Sequence, residues 1–497
     1  MAAAASLIDD LAAIVGRRHV LESIEELLAY ELDGAHDKAQ PDTVVFVTSA
    51  QQVASVVRVA RRHGLPVTAR GAGTGLSGGA VASQRGIVLV TTLMKSILNV
   101  DLENRAALVE PGLVNLDLSA SLAASGFFYA PDPSSQKACT IGGNVAENSG
   151  GPHCLAYGMT TNHVLGLEVV LPDGEMMRLG SYSDSGAGVD GESYADGGYV
   201  PDKPGYDLVG CVVGSEGTMA IATKVLVRLT LKPEVVRTFL AVFDSIANAS
   251  RTVSTIISRG LLPAAMEMID KLVVQAVEAA FHVGFPEDAG AVLIVELDGI
   301  REAVEDQSAL LRDICAELGA KELREAEDEA GRARMWQARK EAFGALGRIK
   351  PSYYIVDTVV PRSKLVEVMS RITDIAEQHG LLLGNVFHAG DGNLHPNILF
   401  DAREPGILPR VLECGRQMVE VCVAAGGALS GEHGIGLEKQ EFMPLLFSEA
   451  DLAAMRKLKA AFNPEHFFNP CKIFPLHHAT CAEVPRKPGS PLAEAAW

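Results

Sequence analysis

Arg70-Gly-Ala-Gly-Thr-Gly-Leu-Ser-Gly-Gly79 places five glycines in the nine residues from Gly71, which rules out regular structure and lets backbone amides close on a phosphate. The chain enters this loop through a strand pattern (Val44 to Val47), a helix pattern (Gln51 to His63, closed by Gly64) and a second strand (Leu65 to Ala69), a βαβ unit. Gly73-Thr-Gly-Leu-Ser-Gly78 spells a GxGxxG. Its context is wrong for a classical dinucleotide fold, because Gly86 and the strand Ile87 to Val90 follow too soon for a long helix. A loop that wraps a pyrophosphate is the expectation, and a purely structural turn competes with it. A second cluster, Thr140-Ile-Gly-Gly-Asn-Val-Ala-Glu-Asn-Ser-Gly-Gly151, follows Pro131-Asp-Pro-Ser-Ser135. It is expected to be neither ordinary strand nor helix and to wrap an extended ligand. The third, Gly214-Ser-Glu-Gly-Thr218, precedes an apolar strand, Ile221 to Leu229. Three such loops suit a large dinucleotide.

Downstream, Asn385-Val-Phe-His-Ala-Gly-Asp-Gly-Asn-Leu-His-Pro-Asn397 and Gly431-Glu-His-Gly-Ile-Gly436 gather His388, His395, His433 and Glu432. Imidazoles and a carboxylate are a ligand set for a divalent cation with a base beside it. Gly390, Asp391 and Gly392 break any helix between the first two histidines, so strand-loop-strand geometry must bring them together. Asp391 is expected to shape that turn rather than to ligate. Taken singly, each histidine fits a local hydrogen bond equally well. Their clustering favours a metal or catalytic site without fixing the metal.

A length of 497 residues allows about three domain-sized units or two large lobes, and 48% hydrophobic residues supply an ample core. Acidic residues outnumber basic ones, 62 to 43, and no basic run breaks the excess. The net charge of −19 speaks against nucleic acid and anionic membrane surfaces as partners. Eight scattered cysteines without a CxxC are expected to be reduced thiols and offer no iron–sulfur ligands. Asp9 and Asp10 interrupt the Ala-rich start, so no signal peptide is expected. No apolar run is long enough to span a membrane. Residues 7 to 32 show helical spacing. Beyond Pro233 strands (Val235 to Phe243, Ala291 to Leu297) alternate with helical runs (Ser245 to Gly260, Ile269 to Ala280, Arg301 to Leu318), as a half-covered sheet would.

From about Pro41 to Pro475, six segments in one order carry a resemblance: ARGAGTGLSGG, TIGGNVAENSGG, GSEGT, WQAR, FHAGDGNLHPN and SGEHGIG. The chain resembles the flavoproteins with a vanillyl-alcohol-oxidase-type FAD-binding domain, in the branch of D-lactate, D-2-hydroxyglutarate and glycolate dehydrogenases. Within that branch it is similar to the FAD-linked subunits of bacterial glycolate oxidases and to D-lactate dehydrogenases. The resemblance implies an α+β fold: a two-lobed FAD-binding (PCMH-type) domain and a cap with a ferredoxin-like α+β sheet. The expected divisions are an N-terminal helical arm (1–40), the FAD domain (41–231), the cap or substrate domain (232–460), a segment returning to the flavin as a closing strand (461–478) and a tail (479–497). Cys471 stands where the family usually has glycine. The Gly-, Ser- and Asp-rich run 182–204 is expected to be a solvated insertion without a catalytic role.

The same resemblance places a noncovalent FAD against Arg70, Gly71, Ala72, Gly73, Thr74, Gly75, Ser77, Pro131, Ser134, Gly142, Gly143, Asn144, Asn148, Gly150, Glu216, Ile221 and Asn469. No His or Cys begins the first loop to attach it covalently. His388, His395 and Glu432 match the family's metal ligands for one divalent cation, zinc first, with manganese or iron as alternatives. Arg339 matches the arginine that grips the substrate carboxylate, and Asn397 a substrate contact. His433 matches the base that takes the hydroxyl proton while the α-hydrogen leaves as hydride for flavin N5. Phe343 and Ile355 stand where relatives acting on D-2-hydroxyglutarate carry threonine and lysine for a distal carboxylate, which favours glycolate or D-lactate. Partners implied are a second flavin subunit and an iron–sulfur subunit, with the chain cytoplasmic or held peripherally at the inner membrane through them. The alternatives are a stand-alone D-2-hydroxy-acid dehydrogenase, a flavin-binding scaffold without turnover and, more remotely, a flavin-free zinc hydrolase.

Overall fold

The computed structural model describes residues 6–183, 186–187, 193–194, 197–202, 204–286 and 288–476. The chain divides into two compact units, neither of them continuous in sequence. One holds the residues up to Ser149, Met159–Leu231 and the chain from His433 onward; the other holds Gly150–Gly158 and Lys232–Glu432.

In the first unit, Thr43–Phe46 and Val67–Arg70 flank Ile87–Val90 in parallel, with Val20–Leu21 antiparallel at one edge. The crossover helix Ala50–Arg62 starts where the Ser49 side chain accepts from the Gln52 amide. It buries Val53, Val56, Val57 and Ala60 against the sheet, each valine worth roughly 1.5–3 kcal/mol. Leu11 and Val15 of the helix Leu7–Val15 join the same core, as does Phe468 from near the far end of the chain. The second sheet is antiparallel, in the order Ile97–Asp101, Ala106–Val109, Ile221–Arg228, Val164–Val170, Met176–Gly180.

Two expectations are corrected in this unit. The Gly/Asn cluster does contain a helix, Ile141–Glu147. Thr140 caps it by accepting from the Gly143 amide, Asn148 ends it in the left-handed conformation, and burial of Ile141 and Val145, one turn apart, offsets the cost of paired glycines. The expected closing strand is absent: Phe468 makes one isolated parallel bridge to Val67, and positive φ at His466, Asn469 and Cys471 breaks the pattern. Within 182–204, Tyr182–Ser183 pairs with Gly198–Tyr199 and Gly186–Ala187 with Ser193–Tyr194. Residues 184–185, 188–192, 195–196 and 203 of that run, and the tail 479–497, lie outside the described residues.

The second unit is built on an antiparallel sheet in the order Glu322–Glu325, Val235–Phe243, Ala291–Gly299, Ala265–Asp270, Leu382–His388, Asn393–Leu394, Thr358–Val359. Pro396–Phe400 pairs with Leu382–His388 and with Ser352–Ile355. One sheet face presents Leu240, Val242, Ile269, Val292, Ile294 and Val386 to a core shared with the helix Lys271–Phe281 and with Ala338, Ala342 and Leu346. Farther along the same strands the same face turns polar, with Thr238 opposite Glu296 and Glu267 opposite His388. The helix Glu329–Lys340 brings Arg332, Trp336 and Arg339 to that stripe.

Asp270 caps the helix Lys271–Phe281 by accepting from the Val273 amide, and its other oxygen accepts from Asn385 N and Nδ2 at 2.7 and 2.8 Å. Burial outweighs these bonds and pushes its pKa up to about 6. A carboxyl whose folded pKa lies above its unfolded one holds its proton more tightly when folded, so its contribution to stability falls as pH rises from about 4 through 6. Against Asp270→Ser, which keeps a cap and does not titrate there, the parent is expected to lose about 2 kcal/mol between pH 4 and 7 in denaturant unfolding. A difference independent of pH would refute this.

Cys139, Cys211, Cys315, Cys414 and Cys422 are free thiols. Cys471 is disulfide-bonded, which corrects the expectation that every thiol is reduced. Among the described residues no helix is long and apolar enough to cross a membrane.

Candidate active site

The first and third glycine-rich segments and the second as far as Ser149 converge in the first unit. A Cβ on Gly71 would fall 2.3 Å from Thr140 Oγ1, so the first loop touches the start of the second segment only because residue 71 is glycine. Gly214 N donates to Val145 O at 2.8 Å and Glu216 N to Ala146 O at 2.7 Å, which ties the third segment to the second. Asn469 Nδ2 donates to both Gly79 O and Glu216 O at 2.8 Å, and Asn115 Nδ2 links Pro131 O to Asn144 Oδ1. A Cβ on Gly75 would come within 3.9 Å of the Asp33 and Glu147 carboxylates, and one on Gly143 within 3.4 Å of Thr140 Oγ1, so the backbone there lies against side chains of the cradle.

Other expected flavin contacts stand differently. The Arg70 guanidinium donates to Leu32 O at 2.8 Å and lies over the Tyr30 ring, tucked under Gly73. The Ile221 side chain belongs to the hydrophobic core; Ala72 and Ser134 are exposed. Gly150 falls in the second unit, where its missing Cβ would lie 2.8 Å from Glu432 Oε2. Beneath the cradle sit half-buried Glu147 and buried Glu216, both raised in pKa by desolvation, with Lys472 lowered to about 8 by the same cause.

His388 and His395 meet in the second unit because Leu382–His388 and Asn393–Leu394 form a tight antiparallel pair. The turn requires Gly392: its φ is +81°, and a Cβ there would strike Val360 O. Asp391 accepts from the Asn393 amide at 3.0 Å, the turn-shaping position expected of it. Nε2 of each histidine lies 3.2 Å from the same oxygen, Glu432 Oε1, and the rings stand edge to face 5.0 Å apart. Three ligands about 2.0–2.2 Å from a tetrahedral cation are separated by about 3.3 Å, so this spacing fits a divalent ion. His388 Nδ1 donates to Glu267 Oε1 at 2.6 Å, which leaves the Nε2 lone pair facing Glu432. A lone pair against a carboxylate oxygen needs a cation or a proton between them. Burial disfavours the charged imidazole, yet the Glu267 and Glu432 carboxylates hold the His388 pKa well above its usual value.

Arg339, 3% exposed, bonds the second Glu267 oxygen through Nε at 2.5 Å, and its guanidinium lies over the Phe343 ring. Asn397 is buried opposite Ile355, its Nδ2 donates to His395 O and Gly384 O, and its Oδ1 accepts nothing from the protein. Asp357 cradles the Glu432 loop, accepting from Ser430 Oγ at 2.6 Å and from the Gly431 and Glu432 amides. His433, one peptide bond beyond Glu432, begins the part of the loop that belongs to the first unit. There Glu216 accepts from the Ile435 and Gly436 amides at 2.7 Å each.

Sequence reasoning missed Glu267, Glu296 and Asp357. The signal was available in Ala-Met-Glu267-Met-Ile, an acid inside an apolar strand, which is buried only with partners.

The family model described as FAD binding domain matches residues 41–180, and the one described as FAD linked oxidases, C-terminal domain, matches 232–473. The chain is 44% identical over 465 residues to the glycolate oxidase subunit GlcD of Escherichia coli, spanning 93% of this chain and 90% of that protein. It is 36% identical to GlcD of Bacillus subtilis (94% and 96% covered) and 32% identical to a D-lactate dehydrogenase of Archaeoglobus fulgidus (88% and 92% covered). Among solved structures, 4-ethylphenol oxidase from Gulosibacter chungangensis matches with a TM-score of 0.77 at 18% identity, over 95% of this chain and 97% of that one. p-Cresol methylhydroxylase matches at 0.76 and 18%, over 92% and 94%. These likenesses bear out the expected α+β fold class, and the family set aside the flavin-free hydrolase. With both family models matched in order and relatives aligned along nine-tenths of its length, the chain belongs to the FAD-linked oxidases and is a flavin-dependent oxidoreductase.

Proposed function

We infer that the protein oxidises a small 2-hydroxy acid, glycolate or D-lactate, to the 2-oxo acid. The observation that carries this reading is the chain of contacts Arg339–Glu267–His388–Glu432–His395, which joins an anion-binding fork to a cation ligand set inside one unit. The names of the relatives, glycolate oxidase subunits and a D-lactate dehydrogenase, agree with it. When bound, a noncovalent FAD supplies a two-electron acceptor, and a divalent cation on His388, His395 and Glu432 supplies a Lewis acid.

Arg339 grips the substrate carboxylate through the guanidinium edge that Glu267 leaves available. Asn397 offers a buried carbonyl oxygen and holds the strand that carries His395. His433 takes the hydroxyl proton. Phe343 under the guanidinium and Ile355 opposite Asn397 are apolar where a distal carboxylate would need a cation, so a short monocarboxylate is favoured. Electrons pass onward to a second flavin subunit and an iron–sulfur subunit, with the protein cytoplasmic or peripheral at the inner membrane through them. This reading draws on the subunit status printed for the GlcD relatives.

The test is anaerobic flavin bleaching across D- and L-2-hydroxy acids, with metal analysis of the same sample. Bleaching by glycolate or D-lactate and about one divalent ion per flavin are expected. Protein that takes up no FAD, or flavin that none of the acids bleaches, would defeat the reading.

A further inference from the structure

We propose that Glu267 is a positioning residue that fixes two parts of the site at once: the anion-binding edge of Arg339 and the ligand tautomer of His388. The inference rests on the 2-hydroxy-acid reading above. Glu267 is fully buried at the middle of the strand Ala265–Asp270, directly opposite His388 on the neighbouring strand. Its two oxygens serve different partners. Oε1 accepts from His388 Nδ1 at 2.6 Å, and Oε2 accepts from Arg339 Nε at 2.5 Å. The first bond commits the imidazole proton to Nδ1 and turns the Nε2 lone pair toward Glu432. The second consumes the Nε–H and stops rotation about the end of the arginine side chain, so that only its remaining N–H groups can meet a carboxylate.

Seating the helix that carries Arg339 does not require Glu267. One and two turns earlier, Trp336 Nε1 donates to Glu296 at 2.7 Å and Arg332 binds the same carboxylate through Nε and a terminal nitrogen at 2.9 and 3.0 Å. Glu296 stands on the adjacent strand, Ala291–Gly299, and also accepts from Thr238 Oγ1 and His153 Nε2. The two buried glutamates therefore divide the work: Glu296 docks the helix, and Glu267 aims the last residue of its inward face.

Glu267→Gln separates these roles, because a carboxamide has one acceptor oxygen and would present N–H groups to one of the two donors. Purified holoenzyme would be compared for metal per flavin, for melting temperature and for binding of 2-hydroxyisobutyrate, a 2-hydroxy acid with no α-hydrogen to lose, read from the flavin spectrum. The variant is expected to keep its flavin, to bind metal about 10- to 100-fold more weakly and to raise the Kd of the analogue at least about tenfold. Parent-like values for either property would overturn the joint role. Glu267→Asp, which keeps two acceptors one methylene back, is expected to show smaller losses of both kinds, and it decides the matter if the glutamine variant does not fold. Glu296→Gln is expected to lower the melting temperature at unchanged metal content; an equal loss of metal there would reduce Glu267 to a general stabiliser and also overturn the proposal. A parent that neither holds metal nor is reduced by any 2-hydroxy acid would instead defeat the function reading itself.

Discussion

Flavin reduction by a 2-hydroxy acid is expected to slow by about 10²- to 10⁴-fold in His433→Ala, with FAD content unchanged. The loss is that of a positioned base, and the loop around it is built to survive the substitution. Ile435 and Gly436 donate to Glu216, Leu437 N donates to Ser77 O at 2.8 Å, and Gly434 and Gly436 hold positive φ through their own backbone. None of these contacts uses the imidazole. Single-turnover mixing under anaerobic conditions reads the step directly, free of any effect on electron transfer to partners. A parent-like reduction rate would remove His433 from the chemistry and favour the scaffold alternative, in which the chain binds flavin without turning over.

Glu432→Ala is expected to lower metal content to a small fraction of the parent's and to slow flavin reduction by about 10³-fold or more, a Lewis acid being worth several kcal/mol at a developing alkoxide. Both Nε2 atoms converge on this one carboxylate oxygen, so its removal leaves two imidazoles with no common anion. Chelation of the parent should reproduce the loss, and re-addition of zinc, manganese or iron(II) one at a time should restore it with the physiological ion. A chelated enzyme that keeps its rate with no metal bound would show that His388 and His395 serve only as hydrogen-bonding side chains.

Much of this was legible from the residues alone, for identifiable reasons. The strand Val235–Phe243 and the helices around it follow from long apolar runs and clear helical spacing. The histidines stood out because polar, metal-ligating side chains are dense in two short glycine-flanked segments. What stayed hidden depends on distance along the chain. Glu267 meets His388 across 121 residues and Arg339 across 72, so nothing near it in sequence marks it as more than an acid in a strand. The helix Ile141–Glu147 was obscured because two glycines in a row oppose it locally, while the cap at Thr140 and the burial of Ile141 and Val145 decide it. The closing strand failed for the opposite reason: Asn463-Pro and Asn469-Pro dipeptides bend a segment whose apolar residues, Phe467 and Phe468, are anchored by packing instead of a ladder.

The interrupted makeup of the first unit bears on how the protein is made. Val67 receives its bridge from Phe468, and the Gly79 carbonyl receives its bond from Asn469, so the flavin-binding half lacks part of its core and one wall of its cradle until the last tenth of the chain exists. Roughly 240 residues separate Leu231 from that segment, a delay of about 10–50 s at ordinary rates of translation. During that interval a nascent chain holding residues 1–231 must remain incomplete on the ribosome, open to chaperones and without a finished place for its cofactor. A fragment ending near Leu231 lacks the Phe468 and Asn469 contacts, so it is expected to hold FAD more weakly than the full chain, which flavin retention on gel filtration would check.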